Sequence, residues 1–238
     1  MSRNFLAKTS VLVLTLGTIA TGSFLNACST SAQKQAQTSS PTAADAETKQ
    51  RDHGSMQRGG MNHSSMNHNA SMELGSADAE FDLRFVDAMT PHHQGAVEMA
   101  KEAQQKSKRP EIQKLATDII KAQDKEIAQL KQWRTAWYPQ APSTPMAWHK
   151  EMNHSMAMSK EQIKAMRMDM DLGSADADFD KRFIDAMIPH HEGAVVMARD
   201  ALSKSKRPEI KTLAQEIIAS QKTEIQQMQQ WKQAWYKQ

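Results

Sequence analysis

The sequence predicts an all-α protein: a four-helix bundle made of two duplicated αα-hairpins with a long Met/His-rich connection between them. Residues 74–138 and 172–236 align at an offset of 98 with 42 identities in 65 positions, which is an internal duplication. Within each copy the apolar residues recur at three- and four-residue steps, the period of a helix with one buried face. No alternating β-branched run or hairpin signal competes with that period. One hairpin cannot bury both of its apolar stripes, so the two copies are expected to pack on each other.

The first element, residues 1–27, reads as a signal peptide. Arg3 and Lys8 precede the apolar run "VLVLTLGTIA" at 11–20, which is short for a bilayer span. "FLNAC" then ends in Cys28, the only cysteine. Leu25, the small Ala27 and Cys28 have the form of a bacterial lipobox, although Asn26 is atypical there. Lipidation of Cys28 is one reading, and plain cleavage nearby is the other. Both predict a periplasmic or otherwise extracytoplasmic protein, with a lipid anchor as its one link to a membrane. Both also leave the folded part without a thiol, which excludes disulfides, a zinc finger and a cysteine nucleophile. Any soft metal ligand must then be a methionine thioether.

Residues 28–71 form an expected disordered tether. Its first part is rich in Ser, Thr, Gln and Ala. Residues 56–72, "MQRGGMNHSSMNHNASM", are low in aliphatics and dense in Met and His.

In each copy the first helix carries Phe81, Phe85, Met89, His92/His93, Ala96 and Met99/Ala100 on its apolar stripe, with Asp78 and Glu80 near the positive end of its dipole. "KSKRPE" turns the chain, and Pro110 suits an early helical position. The second helix carries Ile112, Leu115/Ala116, Ile119, Gln123, Ile127, Leu130, Trp133 and Trp137. Its copy carries Ile210, Leu213/Ala214, Ile217, Gln221, Ile225, Met228, Trp231 and Trp235. The connection, 139–171, opens with the breakers "PQAPSTP" and is expected to hold a short helix around 159–170.

The candidate chemistry sits in "DAMTPHHQGAVEMA" (87–100) and its copy "DAMIPHHEGAVVMA" (185–198). Pro91 cannot donate to the carbonyl of Asp87 and is expected to kink the helix, at a cost of about 3 kcal/mol in an ordinary helix interior. The same cost recurs at Pro189, which points to a use for the bend. Adjacent helical residues diverge by about 100°. One ring of His92/His93 is therefore expected to face the interior and the other a flank or a neighbouring helix. Met89 lies one turn before the pair and Met99 follows it. The copy keeps the full set, Met187, His190, His191 and Met197. The competing reading makes these methionines core filler and the histidines hydrogen-bonded core residues.

A second constellation lies outside the repeats: Met61, His63, Met66 and His68 in the tether, and His149, Met152, His154, Met156 and Met158 in the connection, with Met166, Met168 and Met170 beyond. These stretches lack the aliphatic partners a core needs. Their competing reading is low-complexity chain with incidental Met and His. Thioether and imidazole together suit copper, sulfur favouring Cu(I) and imidazole accepting Cu(I) or Cu(II). Zinc would favour cysteine, histidine and carboxylate, and hard cations would need oxygen clusters.

The Trp pairs Trp133/Trp137 and Trp231/Trp235 read as packing anchors at the bundle ends, with a cation–π contact to Cu(I) as the alternative. Gln123 and Gln221 are expected either to hold a ligand histidine in its tautomer or to lie partly exposed. A carboxylate di-iron centre is not expected: the only Glu-x-x-His, Glu151–His154, is outside the repeats, and Glu98 becomes Val196. No Ser-His-Asp set or phosphate loop appears, and the mixed charge, net +3, leaves no nucleic-acid footprint. The chain is not expected to be an enzyme.

"FDLRFVDAMTPHHQGAVEMA" and "FDKRFIDAMIPHHEGAVVMA", each followed by an "LA…II…Q…EI" helix, resemble the domain-of-unknown-function 305 family, exported bacterial proteins with a ferritin-like four-helix fold. The likeness covers residues 72–238. It implies copper binding outside the cytoplasm in support of copper resistance. The family's Met-x-Pro-His-His positions fall on Met89, Pro91, His92 and His93, and on Met187, Pro189, His190 and His191. Thr90 departs from the more typical apolar residue, present as Ile188. The expected function is to buffer or sequester copper, with a copper export system as a further expected partner. Its alternatives are an interaction bundle with packed histidines, or a metal-dependent oxidase.

Overall fold

The computed structural model describes residues 72–237. The signal region, Cys28 and the tether ligands Met61, His63, Met66 and His68 lie outside the described residues. The elements run α1 (Phe81–Lys106), α2 (Pro110–Trp137), β1 (Met146–His149), β2 (His154–Ala157), α3 (Lys160–Arg167), α4 (Phe179–Lys204) and α5 (Pro208–Tyr236).

The duplicated sequence makes duplicated local structure. Helices α2 and α5 open at Pro110 and Pro208, where the missing N–H costs nothing because it would have no partner. In the turns before them Ser107 and Ser205 accept from the N–H of Arg109 and Arg207, at 3.1 Å each. Before α1, Asp78 accepts from the N–H of Glu80 at 2.9 Å; before α4, Asp176 accepts from that of Asp178 at 3.0 Å. Helices α1 and α4 run unbroken through Pro91 and Pro189. Around the first proline Thr90 Oγ1 donates to the carbonyl of Val86 at 2.7 Å.

Helix α1 packs on α2, α4 on α5, and the hairpins meet along α1 and α4. The apolar interior divides into two clusters. One joins Phe81, Phe85 and Met89 from the start of α1 to Ala194, Met197 and Ala201 from the end of α4. The other joins Phe179, Phe183 and Met187 from the start of α4 to Ala96, Met99 and Ala103 from the end of α1. Helices α1 and α4 are therefore antiparallel, and each cluster is the other's duplicate about a pseudo-two-fold between their midpoints. The Trp pairs cap the two ends as stacked rings, 5.0 Å apart for Trp133/Trp137 and 5.2 Å for Trp231/Trp235. Their cation–π partners are guanidinium groups of the opposite copy: Arg207 lies 4.1 Å from Trp137 and Arg109 lies 4.2 Å from Trp235.

The connection differs from its expected form. Helix α3 falls inside the expected 159–170 and starts with a Ser159–Gln162 capping box. Before it, however, stands a two-stranded antiparallel hairpin pairing Met146 with Ala157 and His149 with His154. Its strands carry no β-branched residue, so no propensity announces it. Tertiary contacts make it: the Asp87 carboxylate accepts from the Met146 N–H at 2.8 Å, and the Arg84 guanidinium donates to Ser155 Oγ at 2.7 Å. Met158 and Met166 are buried in the first cluster, so core filling does account for these two. Among the described residues no helix is long and apolar enough to cross a membrane.

Candidate metal centre

All four repeat histidines are buried, at the level where the two apolar clusters meet. His92 and His190 lie against each other with ring centroids 3.9 Å apart and ring planes tilted by 48°. A residue that touches its own duplicate must lie on the pseudo-two-fold, so this pair marks the axis. The adjacent His93 and His191 turn away from it toward the second helix of their own hairpin, as their helical offset requires. His93 Nε2 reaches Glu126 Oε2 at 2.7 Å, and His191 Nε2 reaches Glu224 Oε2 at 2.6 Å.

These contacts settle which ring atoms are free. A carboxylate or a carbonyl only accepts, so a neutral imidazole facing one carries its proton on that nitrogen. A neutral His191 facing Glu224 carries its proton on Nε2 and leaves the Nδ1 lone pair open, whereas Glu126 stands 2.7 Å from His93 Nε2 without the alignment of a hydrogen bond. His190 Nε2 donates to the main-chain carbonyl of Arg167 at 3.0 Å, again leaving Nδ1 open. His92 and His93 have no hydrogen-bond partner on either nitrogen, and the Nδ1 atoms of His190 and His191 are likewise unpartnered. A backing carboxylate that fixes the tautomer and sharpens the basicity of the opposite nitrogen is the usual support of a metal-ligating histidine.

Burial drives the pKa of His92 well below the usual imidazole range, and the neighbouring His190, His93 and His191 push it the same way. Burial likewise lowers His190 to about 3, with His191 adding to the fall and the Arg167 carbonyl opposing it. Both rings are neutral at physiological pH, the form that binds metal. Each unpaired buried nitrogen costs the fold about 1–3 kcal/mol. That cost makes a ligand for the layer plausible on physical grounds.

Met89 and Met187, one turn before the histidines, are fully buried, as are Met99 and Met197. Met89 shares a cluster with Met197 of the other copy, and Met187 shares one with Met99, so thioethers from both copies flank the histidine layer on either side. In the connection His149 and His154 are cross-strand partners and therefore share a face of the hairpin. Met152 and Met156 are exposed and Met158 is buried, so this second group is only partly brought together. Among the described residues no group of three or more His, Cys, Asp or Glu side chains is arranged to hold a metal ion. A metal in the bundle would need thioether sulfur alongside imidazole.

Gln123 and Gln221 are buried, but their Oε1 atoms have no partner, and neither is the group holding a histidine. That role belongs to Glu126 and Glu224, three residues on, which the sequence reading passed over. Both are kept in the "Q…EI" of the two copies, so the comparison that singled out the histidines would have found them. Two glycines also shape the layer. A Cβ on Gly95 would lie 1.8 Å from the Arg167 carbonyl oxygen, and one on Gly193 would lie 3.1 Å from Met72 Sδ and 3.2 Å from His92 Nε2.

Fold and site together define a class: a duplicated helical bundle with a dry imidazole layer between methionines. The chain belongs to the family described as Domain of unknown function (DUF305), whose model matches residues 23–134 and 82–232. Its structure is similar to that of CopM in the Cu(II)-bound form, with 40% identity over 65% of this chain and 97% of that one, at a TM-score of 0.54. It is similar as well to CopM in the Cu(I)-bound form, with 39% identity, the same coverage of both chains and a TM-score of 0.51. A segment is 45% identical over 49 residues to Uncharacterized protein L153 of Acanthamoeba polyphaga mimivirus. That match spans 21% of this chain and about a third of that relative, 32% of its length.

Proposed function

We propose that this protein binds copper as cargo, chiefly Cu(I), and buffers or sequesters it outside the cytoplasm in support of copper resistance. The observation that carries the reading is the layer of four buried histidines with open ring nitrogens, flanked by buried thioethers and without any thiol. Copper accepts both imidazole and thioether; zinc shares the imidazole but not the thioether, and calcium and magnesium take oxygen ligands. The charge argues for the lower oxidation state. The cost of moving an ion out of water grows steeply with its charge, so a dry layer admits Cu(I) more readily than Cu(II). Similarity to a protein solved with both copper ions supports the reading.

In this reading the exposed Met152 and Met156, with His149 and His154, are weaker peripheral ligands, as are Met61, His63, Met66 and His68. Cys28 anchors the protein by lipid, a copper export system receives the metal, and the chain binds rather than turns over its cargo. The test is an anaerobic Cu(I) titration of the full chain against a competing chelator, beside the fourfold variant His92→Ala, His93→Ala, His190→Ala and His191→Ala. Loss of the tight equivalents in a variant that keeps its far-UV circular dichroism is the expected result. Parental binding by that variant would refute the bundle site.

A further inference from the structure

The two halves of the histidine layer are duplicates in sequence but not in surroundings. At His190 the main-chain carbonyl of Arg167 holds the Nε2 proton at 3.0 Å, and the same oxygen fills the space left by Gly95. At His92 the equivalent space, left by Gly193, is filled by the thioether of Met72, whose Sδ and the His92 Nε2 lie 3.1 and 3.2 Å from one point. His92 Nε2 has no hydrogen-bond partner, and both side chains are buried. Met72 is the last residue of the Met- and His-rich stretch before the first repeat. Its position is built: the buried Arg84 guanidinium grips the carbonyls of Leu74 and Ser76 at 2.7 Å each, two and four residues further on.

Met72 has its own duplicate. Met170 stands at the same offset of 98, yet it is 57% exposed, with the Arg167 carbonyl where its thioether would lie. We propose that Met72 is a thioether ligand of the bundle, binding Cu(I) together with His92 Nε2, and that this makes the first copy the higher-affinity half of the layer. A thioether has no proton to give and only weakly accepts one, so it cannot satisfy an imidazole nitrogen by hydrogen bonding. It is a good donor to Cu(I), and the pair presents one soft sulfur and one imidazole lone pair to a common space. The second copy must bind through His190 Nδ1, or else first displace the carbonyl and draw Met170 inward. This inference rests on the copper-binding reading.

The test compares Met72→Leu, Met170→Leu and the fourfold histidine variant in the same Cu(I) titration, all as full chains. Leucine conserves volume, and circular dichroism checks each fold. Met72→Leu is expected to weaken the tightest bundle equivalent at least tenfold, and Met170→Leu to leave it unchanged. Methionine-methyl 13C NMR of the parent gives a reading free of any folding defect: the Met72 methyl should shift with the first bundle equivalent, before Met170. If Met72→Leu binds as the parent does while the histidine variant loses the metal, or if the Met72 methyl stays still as those equivalents fill, this inference fails alone. If the histidine variant also binds as the parent, the copper-binding reading of the bundle falls with it.

Discussion

The two duplicated glycines make a matched pair of perturbations. Gly95→Ala sets a Cβ 1.8 Å from a main-chain oxygen, far inside the roughly 3.5 Å of a normal contact, so α3 and the chain after it must retreat by more than 1 Å. Helix propensity contributes about 1 kcal/mol in the variant's favour. Against it stand overpacking, about 1–3 kcal/mol, and the orphaned His190 Nε2–H, about 1–3 kcal/mol. The net expectation is a loss of about 1–5 kcal/mol. For a fold of this size each kcal/mol lowers Tm by about 2–4 °C, so a mid-range loss of about 3 kcal/mol is a fall of about 6–12 °C. Gly193→Ala meets mainly the Cε and Sδ of Met72, at 2.8 and 3.1 Å, the far end of a flexible side chain that can rotate away. Its stability should stay within about 1 kcal/mol of the parent, the propensity gain offsetting the displaced thioether. Thermal melts of the metal-free proteins by circular dichroism at pH 7.5 read both. A Gly95→Ala protein as stable as the parent would refute the assignment of the Arg167 carbonyl as the plug over His190.

Other expectations follow from the same geometry. His92 and His190 are lowered in the fold, so the unfolded chain takes up their protons first as pH falls below about 6.5, the ordinary imidazole value. Stability is then complete above that pH and is lost on acidification toward the folded values, by about 2 kcal/mol at pH 5 for His190 alone. Urea unfolding of the metal-free protein at pH 7.5 and 5.0 checks this, and equal midpoints would contradict it. The double change Glu126→Gln and Glu224→Gln removes the carboxylates behind His93 and His191; Cu(I) affinity should fall about 10–100-fold, with circular dichroism unchanged. Asp87→Asn strips a buried carboxylate from Arg134 and the Met146 N–H and should cost about 2–3 kcal/mol. Asp185→Asn, at the duplicate and about a third exposed between Lys181 and Lys232, should cost less than about 1 kcal/mol in the same denaturation assay.

What the sequence disclosed and what it hid divide along a physical line. The helices, their turns and the buried stripe were legible because they depend on local periodicity written twice. The opposed directions of His92 and His93 followed from helical geometry alone. The sharing of Met89 with Met197 was hidden, because it depends on the antiparallel meeting of α1 and α4, and a repeat alignment carries no information on how the repeats dock. The hairpin at 146–157 was hidden for a similar reason: "MAWH" and "HSMA" are held by Asp87 and Arg84 rather than by strand propensity. Glu126 and Glu224 were legible but overlooked, since on the surface-facing part of a helix a glutamate reads as a solvated charge until a histidine is placed behind it.

Duplication by itself would build two equal half-sites, because the histidines, prolines, glycines, glutamines and glutamates of the layer are identical in both copies. The inequality enters from the chain that precedes each repeat. Residues 72–74 bring a thioether down beside His92 and seal it with Met72 and Leu74 in the first cluster. Before the second repeat, the left-handed turn at Met168, with φ of +48°, follows α3 and leaves Arg167 facing Gly95 while Met170 points outward. A carbonyl hydrogen-bonded to a histidine N–H must be given up before that nitrogen can ligate, whereas a thioether beside a bare nitrogen gives up no hydrogen bond. The layer therefore contains one half with a thioether beside a bare nitrogen and one that must bind through Nδ1 or first displace the carbonyl. Copper occupancy of such a layer should build up in two steps of different affinity, which suits a buffer working over a range of metal concentration better than two identical sites would.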